Sequence, residues 1–344
     1  MLWPIPSVDV DECVCVVIPM YRVAPYIQNV ITSLPTWIWR IVAVDDASPD
    51  DSAAQVLALN DPRLVLVRNS TNQGVGGAML TGMNQAVELG ATVIVKVDGD
   101  GQMPVEYLDR LVQPILQGQA DYVKGNRFYH TSEITRMPFV RRLGNISLSF
   151  LTKMASGYWN VFDPTNGYIS IDAESYKTID QEHIHRRYFF ESSMLMELNL
   201  SRAVVCEVTM PARYAGEASS LSIPHVLTEF PPHLIKALFR RLWLQYFVLD
   251  FSVGSLFIVA GSLLTLFGLV WGAAWWRQSI LTGRTASTGT VMLAVLPFIL
   301  GFQMLLQSIV FDVQNVPRRV ISRLAGRRAA PGAALPLEAA SRIN

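Results

Sequence analysis

Short apolar runs and helix-period stretches alternate along the first third of the chain. Residues 13–19 (CVCVVIP), 40–46 (RIVAVDD), 63–69 (RLVLVRN) and 92–98 (TVIVKVD) read as strands: each is strand-length, rich in β-branched residues and bounded by polar or turn residues. The segments between them predict helices from about residue 25, over 51–59, over 76–89 and from about residue 104. Strands spaced by helices of this length predict an α/β domain with a mostly parallel sheet covered on both faces.

The pattern changes in the last third. Residues 251–276 and 285–311 carry no charged side chain. Each exceeds the ~20 residues a helix needs to cross about 30 Å of hydrocarbon, so a transmembrane hairpin is predicted, with helices over about 251–276 and 288–311. Just before it, residues 232–250 put His233, Lys236 and Arg240 on one helical face and Leu234, Leu238, Leu242, Tyr246 and Leu249 on another. A basic amphipathic helix with Trp and Tyr suits a headgroup layer; a solvated linker helix is the plainer alternative. The expected organisation is a cytoplasmic domain over 1–231, an interfacial helix over 232–250, two spans within 251–313, and a basic, partly disordered tail over 314–344.

Composition sharpens this in two places. Of 344 residues, 51% are hydrophobic and 16% charged, against roughly 25% charged in an ordinary soluble protein. Lys plus Arg and Asp plus Glu number 28 each, so net charge points to no nucleic-acid partner. Lys236, Arg240 and Arg241 precede the spans, and Arg318, Arg319, Arg323, Arg327 and Arg328 follow them. By the positive-inside rule both flanks, and hence both termini, are expected in the cytoplasm, at the inner or plasma membrane or its equivalent. Residues 1–12 have no positive n-region and no apolar run, so no signal peptide is expected. Trp271, Trp275 and Trp276 suit the far interface. Cys13, Cys15 and Cys206 form no disulfide framework and no metal-ligand spacing. They read as small buried apolar residues in a reducing compartment.

The candidate chemistry lies at strand ends. Asp45 and Asp46 follow the second predicted strand; Asp98 and Asp100 follow the fourth, with Gln102 two further on. Ligands of parallel sheets bind beyond the carboxyl ends of the strands. Acids crowded there repel and call for a cation. Mg²⁺ or Mn²⁺ takes oxygen ligands, often one or two carboxylates plus ligand phosphates, so Asp98, Asp100 and Gln102 are the expected metal ligands. Residues 72–86 (NQGVGGAMLTGMNQA) look like a phosphate loop but have neither G-x-G-x-x-G nor G-K-S/T. Their glycines are expected to let a helix N-terminus pack close to the sheet.

The ordered motifs VVIPMY, VAVDDASPD, NQGVGGAMLTG, VKVDGDGQMP, KGNRF and FDPTNGYIS resemble the family 2 glycosyltransferases of GT-A fold. Within these, D-x-D-x-Q together with PARYAGEASSL and two spans is similar to the polyprenyl-phosphate hexosyltransferases, the dolichyl-phosphate mannose and glucose synthase group. The resemblance covers about residues 13–312. It implies that Pro19 and Tyr21 line the nucleotide base, that Asp46 with Asp45 beside it accepts from the base, and that Asp98, Asp100 and Gln102 hold metal and diphosphate. It also implies that Arg127, Arg141 and Arg213 meet donor or acceptor phosphates; a guanidinium fork suits paired phosphate oxygens. Asp98, Asp100 and Arg127 are then the catalytic set. Three departures stand out: Arg22–Val23 where relatives carry Asn-Glu, Ser219 where a lysine is usual, and Asn145 where a serine commonly follows the acceptor arginine. Glu191 reads either as a carboxylate favoured at a helix N-terminus or as a pocket residue.

The resemblance implies inverting transfer of a hexose from UDP-glucose or GDP-mannose to a membrane polyprenyl phosphate. A phosphate acceptor is largely ionised near pH 7, its second pKa being about 6, so the site needs no strong base. It needs arginines to seat the anion and a metal to stabilise the leaving diphosphate. Two rivals share the fold. One is a processive polysaccharide synthase, against which FRRLW (239–243) lacks the Gln of Q-x-x-R-W. The other is a non-catalytic membrane-anchored nucleotide-sugar-binding protein. The resemblance also implies a possible homo-oligomer, formed through the membrane parts.

Overall fold

The computed structural model of the chain describes residues 12–127, 139–210 and 223–324. The chain divides into two compact units. The first comprises residues 1–143, 161–219 and 317–344, the second residues 144–160 and 220–316.

The first unit is built on one seven-stranded sheet. Its strands are β1 (Val14–Met20), β2 (Arg40–Asp45), β3 (Leu64–Arg68), β4 (Val93–Lys96), β5 (Tyr122–Asn126), β6 (Ile169–Asp172) and β7 (Val205–Thr209). They run in the order β3-β2-β1-β4-β6-β5-β7. All pairings are parallel except those of β6, which is antiparallel to both β4 and β5. The carboxyl ends of β1, β2, β4 and β5 therefore meet the start of β6 along one edge. The four predicted strands are present, β1 shifted by one residue and β2, β3 and β4 shortened by one to three; β5, β6 and β7 complete the sheet. Helices α1 (Ile27–Ser33), α2 (Ser52–Leu57), α3 (Gly74–Leu89) and α4 (Leu108–Leu116) follow β1 to β4. The core lies where Val14, Val16 and Ile18 of β1, Ile41 and Ala43 of β2, and Val93 and Val95 of β4 pack with Ile27, Leu111 and Ile115.

Helix α5 (Phe139–Ser156) leads out of β5, and α6 (Ala173–Thr178) and α7 (Phe190–Leu200) follow β6. The chain past the second long helix is not simply a tail. Asp121 accepts the backbone N–H groups of Ile321 (2.9 Å) and Ser322 (3.3 Å), which start a short helix, Ile321–Leu324, within the first unit.

The second unit contains α8 (Ile223–Trp243), a π-helical turn at Leu244–Leu249, and two long helices, α9 (Val253–Thr282) and α10 (Thr288–Gln314). Helix α8 starts earlier than the pattern predicts and is carried through Pro231 and Pro232, each of which removes a backbone donor. Its apolar positions also sort differently from the sequence expectation. Leu234 and Tyr246 are buried, while Ile235, Phe239 and Trp243 form the exposed stripe. Two apolar stripes run along this helix, and periodicity alone selects the one that the fold uses internally.

Arg241, one of the expected flanking cations, is likewise internal. It is 2% exposed and forks onto Asp312, with nitrogen–oxygen distances of 2.7 and 3.0 Å. The same carboxylate accepts from Tyr246 Oη (2.7 Å) and Trp159 Nε1 (2.9 Å). Arg241 also donates to the carbonyls of Met154 and Ala155, closing the C-terminus of α5. A buried ion pair needs this degree of satisfaction to offset its desolvation.

Helices α9 and α10 are long and apolar enough to cross a membrane, with mean hydropathy 2.2 and 2.0. They leave most of their apolar side chains exposed. Between them lies a seam of small residues. The buried positions of α9 include Gly254, Gly261 and Gly268, at a seven-residue spacing that keeps one face of a helix against its neighbour. A Cβ on Gly261 would lie 3.0 Å from the Gly301 carbonyl of α10, so the two backbones approach as closely as small residues allow. Gly261→Leu is expected to cost about 1–3 kcal/mol by overpacking, read as a lower thermal midpoint of the full chain in detergent. Gly272→Leu, which faces only the Ala294 Cβ at 3.4 Å, is expected to leave the midpoint near wild type.

Candidate active site

The edge of the first unit where β1, β2, β4 and β5 end collects most of the candidate residues. Pro19 lies in β1 and Tyr21 just beyond it, 44% exposed, with the Arg22 guanidinium 5.3 Å from its ring centroid. Asp50 braces this loop. It accepts from Ser48 and Ser52 hydroxyls (both 2.6 Å) and from Ala24 N–H (3.0 Å). Burial works to raise the Asp50 carboxyl, but the hydrogen bonds from Ser48, Ser52 and Ala24 prevail and hold it down at about 2. Ser48 and Ser52 in turn accept from Arg22 and Val23 N–H. The ASPDDS segment thus fixes the backbone beside Tyr21, a role the sequence reading did not assign.

Asp45 accepts Ser48 N–H at 2.9 Å, with Arg68 3.9 Å away. Asp46 is 2% exposed, and both its oxygens are engaged by the chain: Asn69 Nδ2 (2.8 Å), Gln73 N–H (2.9 Å) and Gly74 N–H (2.8 Å). This carboxylate sits at the N-terminus of α3, where backbone donors and the helix dipole favour an anion. Asp46 therefore takes the place a phosphate would occupy in a phosphate loop. The glycines of that segment meet residues 185–187: Gly77 N–H donates to Arg186 O at 2.9 Å. A Cβ on Gly76 would collide with the His185 carbonyl.

Asp98 and Asp100 follow β4. Gly101, at φ +75°, turns the chain so that Asp100 Oδ1 accepts Gln102 N–H at 3.0 Å. Burial raises the Asp100 carboxyl above its ordinary value; the Asp98 charge adds to this, and the Gln102 N–H and Lys96 ammonium offset it only in part. Asp98, 32% exposed at its side chain, is paired with Lys96 Nζ at 2.6 Å. Lys96 is 2% exposed and stands 3.6 Å from Glu191 Oε1. Glu191 is in the first turn of α7. Burial disfavours the Lys96 ammonium, yet Asp98 and Glu191 outweigh burial and raise its pKa. The sequence reading missed Lys96; its signal was a lone charge inside the apolar run TVIVKVD.

Arg127, just past β5, forks onto buried Asp163: Nε to Oδ2 at 2.8 Å and Nη2 to Oδ1 at 3.0 Å. Its side chain remains 36% exposed. Glu207 supports this pair by accepting from Asp163 N–H (2.8 Å) and Asn126 Nδ2 (2.8 Å). Asp163 and Glu207 escaped the sequence reading because their partners are more than thirty residues away. Arg141 and Asn145 lie on α5 with side chains outside the described residues, and Arg213 lies outside them altogether.

Among the described residues no group of three or more His, Cys, Asp or Glu forms a ready metal cage. The donor chemistry of Asp98, Asp100 and Gln102, two carboxylates and an amide, suits a hard divalent ion, which takes oxygen ligands and would need further ones from outside the chain.

The family model for glycosyl transferase family 2 matches residues 15–180. The chain is 30% identical over 219 residues to the undecaprenyl-phosphate mannosyltransferase of Micrococcus luteus, covering 60% of this chain and 86% of that protein. It is 29% identical over 219 residues to the UDP-N-acetylglucosamine–dolichyl-phosphate N-acetylglucosaminyltransferase of Methanococcus voltae, covering 59% and 87%. Among solved structures it is similar to glucosyl-3-phosphoglycerate synthase of Mycobacterium tuberculosis at TM-score 0.49 and 17% identity, over 70% of this chain and 86% of that one. The chain belongs to glycosyl transferase family 2, and its mixed, mostly parallel sheet agrees with the fold that the resemblance implied.

Lys124 lies behind this edge, wholly buried, its ammonium donating to the Asn166 carbonyl. Burial lowers its pKa from 10.5 to about 8, against the pull of Glu191, Asp163 and Glu207. Below pH 8 the lysine is charged in folded and unfolded chains alike. Between about 8 and 10.5 the unfolded chain holds a proton that the folded one has lost, so stability rises with pH there. Relative to Lys124→Met, the wild type is expected to gain up to on the order of 3 kcal/mol across that window, measured by denaturant unfolding at stepped pH.

Proposed function

We propose that this protein transfers a hexose from a nucleoside-diphosphate sugar to a polyprenyl phosphate held in the membrane, with inversion at the anomeric carbon and dependence on a divalent metal. The observation that carries the reading is the turn Asp98–Gly101–Gln102, set at the carboxyl end of β4 beside the ends of β1 and β2. The printed activities of the relatives from Micrococcus luteus and Methanococcus voltae supply the acceptor class.

Tyr21 offers an exposed ring on which the base stacks, beside Pro19 and Asp45. Asp46 acts through the α3 N-terminus that it caps, fixing the wall of the base pocket. Asp98, Asp100 and Gln102 would hold Mg²⁺ or Mn²⁺, which supplies charge stabilisation to the departing diphosphate. Arg127, braced by Asp163, presents a guanidinium of set orientation to phosphate oxygens; Arg141, Asn145 and Arg213 are assigned to the acceptor phosphate. An ionised phosphate oxygen needs no proton removed before it attacks, so these groups act by seating anions. Glu191 pairs with Lys96, and that pairing favours an internal role over deprotonation of an acceptor.

Two apolar helices with their side chains largely exposed support membrane anchoring. Residues 317–324 return to the unit that carries the site, so two crossings bring the chain back to the side it left. We assign the first unit, both termini and the α8 stripe Ile235–Phe239–Trp243 to the cytoplasmic face, the stripe lying in the headgroup layer.

Membranes holding the full chain are expected to convert labelled UDP-glucose, UDP-N-acetylglucosamine or GDP-mannose into an organic-extractable, mild-acid-labile lipid. Label in a polymer would indicate a processive synthase, and label in neither product a binding protein. Asp100→Ala is expected to lower turnover at least a hundredfold with membrane insertion unchanged. Wild-type turnover in that variant, or full turnover after exhaustive chelation, would remove the site assignment.

A further inference from the structure

Lys96 has no counterpart in the chemistry assigned so far. It is the one charged residue of β4, its neighbours being Val93, Ile94 and Val95. An apolar side chain at this position would avoid the desolvation that a buried ammonium suffers. The lysine instead meets two acids at a single point. A Cβ on Gly167 would lie 2.5 Å from Lys96 Nζ, 3.2 Å from Glu191 Oε1 and 3.5 Å from Asp98 Oδ2. Glycine there leaves the three side chains room to converge. Asp98 Oδ1 is held by the ammonium at 2.6 Å.

We infer that Lys96 is a positioning residue acting through Asp98: it sets that carboxylate and biases the strand mouth toward an anionic nucleotide and against a bare divalent cation, so that metal and nucleotide bind together. The inference rests on the proposed nucleotide-sugar site. Asp98, Asp100 and Glu191 without a counter-charge would attract a divalent ion by itself and repel a diphosphate. An ammonium among them weakens the first interaction and strengthens the second. Glu191, 3.6 Å from the Lys96 ammonium, acts in the opposite sense by adding negative charge. A unit charge a few ångströms away, at an effective dielectric of about 20, changes a divalent ion's affinity by at least tenfold.

The test is equilibrium binding to the purified full chain: Mn²⁺ alone by electron paramagnetic resonance, UDP and GDP alone by calorimetry, then both together. Lys96→Met is expected to tighten Mn²⁺ binding at least tenfold and to weaken nucleotide binding without metal severalfold. Glu191→Gln is expected to shift both affinities the other way. A merely structural role would weaken both ligands in both variants, and that result, or unchanged affinities, overturns the inference. If Lys96→Met does not fold, judged by circular dichroism, Glu191→Gln decides alone: weaker Mn²⁺ with tighter nucleotide supports the inference, and any other pattern overturns it. Wild-type protein that binds neither Mn²⁺ nor the Mn²⁺–nucleotide pair overturns the proposed function itself, and the Lys96 inference with it.

Discussion

Crowding carboxylates along one edge of a sheet is unfavourable, and the first unit is organised around neutralising them. Each acid at that edge is answered differently. Asp46 caps the α3 N-terminus, Asp50 accepts two serine hydroxyls, Asp163 takes the Arg127 fork, and Asp98 takes the Lys96 ammonium. Burial and the neighbouring Asp98 charge raise the Asp100 carboxyl, and the Gln102 N–H, the Lys96 ammonium and its own backbone N–H offset them only in part. Under the proposed function, Asp100 is the acid at that edge left for a cation to answer.

The second unit has to hold together two apolar helices whose side chains are largely exposed. Two apolar helices cannot gain from burying hydrocarbon against hydrocarbon in lipid, so close packing has to hold them. The glycines spaced along α9 supply it. At the hairpin's base Asp312 gathers Arg241, Tyr246 and Trp159, and Arg241 closes the end of α5. One fully hydrogen-bonded ion pair thereby joins three helices of that unit. An unpaired charge there would be strongly destabilising, which ties the geometry of α5 to the integrity of the hairpin.

Much of the fold was legible from periodicity. The four early strands, the helices after them and the two long apolar helices follow from local patterns that need no partner. The strands β5 to β7 were harder because β6 runs against its neighbours and its register depends on them. On α8 periodicity picked out the stripe through Leu234 and Tyr246, and only packing showed that this stripe is covered while Ile235, Phe239 and Trp243 stay exposed.

At the site, sequence by itself determined which residue types stand at the strand ends: acids in pairs, glycines to turn between them, and a glutamine two residues on. Those features are local, set by spacing along one strand and by the single backbone conformation that Gly101 adopts. Only the tertiary structure decided what each acid does. Asp46 turned inward to a helix 27 residues away, Arg127 was committed to an acid 36 residues on, and Lys96 was placed between Asp98 and Glu191. Electrostatic roles depend on distance and burial, and both arise when remote segments meet, so identical side chains at neighbouring positions ended with different work.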